Sequence, residues 1–521
     1  MTLASRSLVF ERDSLCEMFD RAPSVPVWFV FASLALGLCA NCAGPVPAAD
    51  ANDDATARFD GDAAGPVDAD AEDGALDSGP PRLDPEIITA VAHPDANRVL
   101  SDIQSLVGFG TRNSCSSQTD PVRGIGAARA WIRAQFAAIP GVMVTVDTYD
   151  HLSCLAATQS ANVVAWIPGT EPNRLVIIGG HYDSIAGIGP DAIDPTLMAP
   201  GANDSGSQTA VVLEAARALA GRSYRATLVF VSFSGEEQRL QGSAHLARNI
   251  GMYFPGATVE AMLNCDIVGG DNVSNTGALL QQFRLYSPGT PRETGGTVGQ
   301  DPERQGTPDD TSPARGIMRY IAEWTSRYVP AMTMLPRLRE DRPGRGGDHE
   351  SFLSQGYAGV RFVEPVENLA HQHSPEDIVA YVTPAYTARI AQVVVATAGS
   401  LARAPAAPRM FVAVGRAMDT ISLRWTSPAS GNPDHYVVAA RPTTGNFYVA
   451  RVVVAGSETS IDLPAERLGV GSAEAFFVSV AAADAAGHES LFAYPEYRCD
   501  ATDCTIQLGS EIITGTRNLG P

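Results

Sequence analysis

A chain of 521 residues is too long for one hydrophobic core, so two or three domains are expected. Hydrophobic residues at 45% and charged residues at 18% are ordinary for a globular protein. The formal net charge of -21 makes the chain a poor candidate for binding nucleic acid. The run Val25 to Ala40 (VPVWFVFASLALGLCA), preceded by Arg21, is apolar but short for a membrane span. Residues 1–49 therefore read as an export segment. Cleavage near Ala49, a lipid on Cys39 or Cys42 that would attach the chain to a membrane, and an uncleaved anchor all stay open. Residues 50–84 are rich in Asp, Ala, Gly and Pro with almost no large apolar side chain. Such a stretch cannot bury enough surface to offset its ordering entropy, and it reads as an acidic disordered linker.

Ordered structure is expected to begin near Asp84. Residues 95–110 and 124–138 have helical periodicity, with Ala127, Trp131, Ile132 and Phe136 on one face. Asn162 to Ile167 is a short strand. Leu175 to Gly180 (LVIIGG), Ala226 to Phe233 (ATLVFVSF), Val259 to Asp266 and Gly359 to Val363 are nearly unbroken apolar runs, as in strands buried on both faces. Ser207 to Leu219 carries Val212, Ala215, Ala216 and Leu219 at helical spacing. Strands alternating with helices predict a three-layer α/β domain over 85–403, its central sheet mixed but mostly parallel. Residues 270–345, rich in Gly, Pro, Arg and Asp, read as long loops around a helix at 315–328.

Beyond Pro405 the period changes to two. Ile421, Leu423 and Trp425 alternate, as do Phe476, Val478, Val480 and Ala482. Short alternating strands between turn residues predict a small all-β sandwich over 405–497, followed by a tail over 498–521. Eight cysteines are present. In an exported chain Cys115 with Cys154 and Cys499 with Cys504 suit disulfides, whereas Cys265, inside an apolar strand, reads as a buried thiol. No cysteine spacing suits a structural zinc site.

Acidic and histidine residues gather at strand ends. His181-Tyr182-Asp183 follows LVIIGG, Glu236-Glu237 follow ATLVFVSF, Asp266 ends its strand, and Asp204 precedes a helix in GANDSGS. In open α/β sheets sites form beyond the carboxyl ends of the strands, so four distant segments deliver His, Asp, Glu and Asp to one edge. Imidazole and carboxylate donors without thiolates suit catalytic zinc, and one carboxylate can bridge two ions. Of two adjacent glutamates in a loop, one can bind metal while its neighbour takes a proton from water. Singly, each motif is more often structural: an HxD is usually a surface pair, and an Asp before a helix is usually a cap. Their joint order makes that bland reading the weaker one.

GGHYDS, GANDSGS, SFSGEEQ, NCD, GGDHESF and HQHSPED resemble the zinc aminopeptidase family that includes bacterial leucyl aminopeptidases, glutamate carboxypeptidase II and the transferrin receptor ectodomain. The resemblance covers roughly residues 90–400. It implies two Zn2+ per chain. His181 and Asp266 would hold one, Glu237 and His373 the other, and Asp204 would bridge them. Glu236 would be the general base, and Asp183 would hydrogen-bond His181 and fix its tautomer. His373 fits the family pattern of a His followed by Asp, here Asp377; His371 does not. Asp348 and His349 match a family motif near the cleft and are expected to be supporting groups. Three departures stand out: Gln372 replaces the usual Tyr, Ser205 the usual Asp, and Arg239 the Gly that usually follows SGEEQ. The segments TISLRW, HYVVAAR and AFFVSVAAADAAGHES resemble a fibronectin type III domain, with Trp425 and Phe476 as core residues.

These readings lead to an exported zinc exopeptidase acting on peptides or proteins, an aminopeptidase in the first instance, and a monomer. A dizinc carboxypeptidase or other amide hydrolase is the alternative, with Arg337, Arg339, Arg342 or Arg345 as carboxylate anchors. A non-catalytic binding ectodomain is disfavoured because every ligand and the base are present.

Overall fold

The computed structural model describes residues 76–77, 82–289, 291–294, 297–300, 312–341, 345–417, 420–428, 433–470, 474–508 and 511–514. The export segment lies outside the described residues, as does most of the acidic linker. Eight strands form one sheet: β1 (Met143–His151), β2 (Thr158–Ile167), β3 (Glu171–His181), β4 (Ala226–Phe233), β5 (Thr258–Cys265), β6 (Gln282–Tyr286), β7 (Thr333–Arg337) and β8 (Gly359–Val363). Their order is β7-β6-β8-β5-β3-β4-β2-β1. The central four, β8, β5, β3 and β4, are parallel. β2 and β6 run antiparallel to their inner neighbours, so the sheet is mixed around a parallel centre.

Among the described residues eight α-helices accompany it: α1 (Pro85–Val91), α2 (Ala96–Gly108), α3 (Ile125–Ala137), α4 (Gln208–Leu219), α5 (Gln241–Tyr253), α6 (Pro313–Tyr328), α7 (His349–Leu353) and α8 (Pro384–Arg403). Alternate strand residues serve the two faces. Val176, Ile178, Leu228, Phe230 and Leu263 pack with α1, α3, α4, α6 and α8. Leu175, Ile177, Val229, Val231 and Met262 pack with Leu246 and Ile250 of α5 and Phe352 of α7. Every residue of β4 is buried, which accounts for its unbroken apolar run.

Some elements differ from the sequence reading. Within residues 270–345 the helix expected at 315–328 is α6, and β6 and β7 stand beside it where only loop was expected. α8 carries no apolar stripe because it is buried almost all round, and periodicity has nothing to detect there. Within the supposed linker, Leu76–Asp77 pair with Val452 and Val453, and Asp84 caps α1 by accepting from the Glu86 N–H at 2.7 Å.

After Arg403 the architecture is antiparallel β. Strands β9 (Arg409–Ala417), β10 (Thr420–Thr426) and β13 (Ser460–Pro464) form one sheet. The larger sheet contains β11 (His435–Pro442), β12 (Ala450–Ala455), β14 (Phe476–Ala483), β15 (Tyr497–Cys499) and β16 (Cys504–Leu508). Trp425 and Phe476 lie in the core between them. Of the expected tail at 498–521, residues 498–508 are corrected: β15 and β16 extend the sheet, and Cys499, Cys504 and Ile506 belong to its core. The disulfides Cys115–Cys154 and Cys499–Cys504 are formed, and Cys265 is a buried free thiol.

The α/β and all-β parts belong to one compact unit. Charged groups join them: Arg319 of α6 donates to Glu496 at 2.8 Å, and Arg451 of β12 to Glu323 of α6 at 2.9 Å. Among the described residues no helix is long and apolar enough to cross a membrane.

Candidate metal centre

The parallel strands end on one edge, and the polar residues begin where they end. His181 is the last residue of β3, Asp266 follows β5, and Glu236 and Glu237 follow β4 through Gly235. Gly235 has φ +73°, and a Cβ there would lie 2.8 Å from the Tyr149 hydroxyl, so the turn admits only glycine. Asp204 lies in the irregular segment Ala202–Ser207 before α4, and His373 in the loop after β8. The Asp204–Ser205 and Asp266–Ile267 peptide bonds are cis.

All five candidate ligands converge. His181 Nε2 is 3.2 Å from Asp204 Oδ1 and 3.6 Å from Asp266 Oδ1. His373 Nε2 is 3.2 Å from Asp204 Oδ2 and 3.1 Å from Glu237 Oε2. Two donor triads result, His181–Asp204–Asp266 and Asp204–Glu237–His373, and they share Asp204 through its two different oxygens. Donors held about 2.0–2.2 Å from a tetrahedral ion stand roughly 3.3–3.6 Å apart, close to the 3.1–3.6 Å found here. Asp204 Oδ1 and Glu237 Oε1 are buried without a hydrogen-bond partner. An orphaned buried carboxylate oxygen is costly unless a cation meets it. The donor set contains no thiolate. On these grounds the residues fit a pair of zinc ions.

The surroundings orient the donors. His181 Nδ1 lies 3.1 Å from the Asp183 carbonyl oxygen and 3.5 Å from its Oδ1, so the N–H on Nδ1 leaves the Nε2 lone pair facing the triad. That lone pair also meets the Gln208 amide, 2.9 Å away. The expected tautomer-fixing contact of Asp183 is thus made first by its main chain. Its carboxylate has another task, accepting the Glu236 and Glu237 N–H groups at 3.3 Å each. Asp377 does the same for the bridging residue, accepting the Asn203 and Asp204 N–H groups at 2.8 Å each. His371 is turned elsewhere, 2.5 Å from Asp271 and stacked on Tyr381. Ser205 donates to the Asp183 carbonyl, a bond a carboxylate in its place would not make.

Arg112 went unread in the sequence. It is fully buried and donates to the carbonyls of Tyr182 (2.6 Å), Pro200 (2.7 Å), Gly201 (2.8 Å) and Leu106 (3.1 Å). It thereby ties the segment holding His181 and Asp183 to the one holding Asp204. An arginine in GFGTRNS carries no pattern that would reveal this.

The charges describe a site that calls for cations. Burial pushes the Glu236 carboxyl well above its ordinary range, with Asp266, Glu237 and Asp348 adding to the shift. Burial pushes Asp348 up to about 7, and neither of its oxygens has a hydrogen-bond partner. His373 is pushed up to about 11, first by Glu237. His349 falls to about 3 through burial and the nearby Arg361.

The donors open onto a cleft of about 380 Å³. Ile185, Ile188 and Ala192 give it an apolar wall; Arg239, Arg345, Glu350 and Arg361 give it charge. Arg361 pairs with Asp266 at 3.3 Å and with Asp341 at 3.1 Å. Arg345 pairs with Glu367 and donates to Gln372 Oε1 at 3.0 Å. Of the other arginines considered as carboxylate anchors, Arg337 and Arg339 are absent from the cleft lining and Arg342 lies outside the described residues.

Comparison with known proteins agrees with this chemistry. Residues 162–398 match Peptidase family M28. A probable zinc metalloprotease of Leptosphaeria maculans is 36% identical over 410 residues, which cover 74% of this chain and 93% of that protein. A probable zinc metalloprotease of Pyricularia oryzae is 35% identical, covering 73% of this chain and 80% of its own length. Among solved structures, the LapA aminopeptidase of Legionella pneumophila is 17% identical with a TM-score of 0.45, covering 63% of this chain and 78% of that one.

Proposed function

Because the chain belongs to peptidase family M28 and is a zinc metallopeptidase, we propose that it is a two-zinc exopeptidase, an aminopeptidase in the first instance. The observation that carries this reading is the shared carboxylate: the two oxygens of Asp204 each lie 3.2 Å from the histidine of a different triad. His181, Asp204 and Asp266 would hold one ion, and Asp204, Glu237 and His373 the other. Bound zinc would polarise the scissile carbonyl and make water acidic enough to attack near neutral pH.

The protein's own groups do the rest. Glu236, metal-free in this reading, takes a proton from the attacking water and returns it to the leaving amine. Asp183 holds the Glu236–Glu237 main chain, and Asp377 and Arg112 hold the Asp204 segment, so neither moves as charge develops.

Two disulfides support export to an oxidising compartment, as a secreted or envelope protein. The paired antiparallel sheets support a fibronectin type III-like spacer or stabiliser.

The test is zinc per chain by elemental analysis, paired with hydrolysis of aminoacyl-nitroanilides by the wild type and Glu236→Gln. Two zincs retained in both, with turnover lowered about 10²–10⁴-fold in the variant, is the expected result. Two zincs without turnover of free-amine substrates would move the assignment to a carboxypeptidase or another amidase. Fewer than two zincs at saturation would refute the shared-carboxylate reading.

A further inference from the structure

We propose that Arg239 is a specificity-determining residue whose guanidinium binds a carboxylate on the substrate next to the scissile bond. The proposal rests on the exopeptidase reading. Among the described residues three arginines line the cleft, and two are committed: Arg361 to Asp266 and Asp341, Arg345 to Glu367 and Gln372. Arg239 is exposed at the cleft and has no hydrogen-bond or ion-pair partner among the described residues.

Its backbone is unusual. Arg239 has φ +76° and Leu240 φ +57°, the left-handed region that side chains rarely adopt. The turn is fixed from both ends, since Leu240 N–H donates to the Glu236 carbonyl at 2.9 Å and Gln241 N–H to that of Gly235 at 2.9 Å. A glycine would take this position without strain, yet the chain places a long cation there, two residues from a metal-ligand candidate. Left-handed non-glycine residues concentrate where function over-determines them.

Charge balance points the same way. Zinc would neutralise Asp204, Glu237 and Asp266; among the described residues of the lining, which also include Glu236 and Glu350, Arg239 is then the arginine without a carboxylate partner, beside the apolar wall of Ile185, Ile188 and Ala192. A guanidinium binds carboxylate through two parallel N–H···O bonds, a geometry an ammonium cannot copy. Two sources present that group: the free C-terminal carboxylate of a short peptide, or an acidic side chain beside the scissile bond.

The test compares matched substrates on the zinc-loaded full chain. One pair is Leu-Gly and its C-terminal amide; the other is Leu-Asp-amide and Leu-Asn-amide. A charge-assisted contact corresponds to about a tenfold or greater preference for the acid in one pair, carried by KM. Arg239→Gly, which suits the backbone and so does not endanger folding, is expected to bring that ratio close to one. Arg239→Lys is expected to fall between. The pair that responds identifies the source. Equal rates in both pairs for the wild type, or a preference that survives Arg239→Gly, would overturn the proposal. Calorimetric titration of the same four compounds runs in parallel: acid-over-amide binding lost in Arg239→Gly supports it, and equal binding of acid and amide overturns it. Absence of all hydrolysis would sink the exopeptidase reading while the calorimetry still decides the arginine.

Discussion

Replacing Arg112 by methionine removes a cation of similar length from a place where water cannot follow. Four carbonyls accept from it, but they are not equivalent. Leu106 O keeps the Phe109 N–H at 3.3 Å, and Gly201 O keeps the Gly206 N–H at 2.8 Å. Tyr182 O and Pro200 O have Arg112 as their hydrogen-bond donor, at 2.6 and 2.7 Å. Two orphaned carbonyls at about 1–3 kcal/mol each, offset by guanidinium desolvation no longer required, give a net loss of about 3 kcal/mol. Burial pushes the Arg112 pKa down to about 10, held there by Asp377, Asp183, Asp204 and Glu237, so the group is still charged at neutral pH. Its removal also leaves those carboxylates less balanced. Guanidinium denaturation at pH 7 should show a lower midpoint at unchanged slope. Zinc affinity should fall as well, because the loops bearing His181 and Asp204 lose their common tie. Arg112→Lys, with charge but no fork, should recover only part of the loss. A loss below about 1 kcal/mol, with zinc binding intact, would refute the reasoning.

Three further outcomes are expected. Glu496→Gln should cost about 3–5 kcal/mol, since it removes the buried charge that pairs with Arg319 and Arg441, and should make the all-β part more susceptible to limited proteolysis. Burial raises the Glu496 pKa, but the two guanidiniums outweigh it and hold it at about 2. The stability it contributes is therefore present above the ordinary glutamate range and lost as pH falls toward 2. For His488 the sign is opposite: burial pushes it down, but Asp484 and Asp84, at 2.9 and 2.7 Å, hold it above its ordinary value. Its contribution should be full below about pH 6.5 and fade as pH rises through the elevated pKa. His488→Gln should flatten the stability profile over that window. Opening the Cys115–Cys154 disulfide by a double change to serine should cost roughly 4 kcal/mol, the loop-closure value for a separation of 39 residues, read as a lower denaturation midpoint.

The α/β centre was legible because its signals are local. A strand covered on both faces must be apolar throughout, so ATLVFVSF could be bounded to the residue. Glycines, carboxylates and histidines at the strand ends then marked the edge. Elements without a periodic signature were lost. α8 is apolar on nearly every side, and β6 and β7 are only five residues each amid polar sequence. Most of β15 and all of β16 lie in a segment that reads as a tail, because a three-residue strand and a five-residue strand have too few positions to show alternation.

The sequence by itself brought forward His181, Asp204, Glu236, Glu237 and Asp266 as candidates, because metal chemistry restricts donors to a few residue types and the sheet edge restricts where they stand, and the family resemblance added His373 and the expected roles. Only the tertiary structure decided which groups hold them. Arg112, Asp377 and the carboxylate of Asp183 act through main-chain atoms of residues up to 174 positions away, and a backbone carbonyl or N–H has no identity in sequence. The same holds for Arg239: its residue type was a visible departure, but its lack of a partner and its left-handed backbone exist only once the turn is closed.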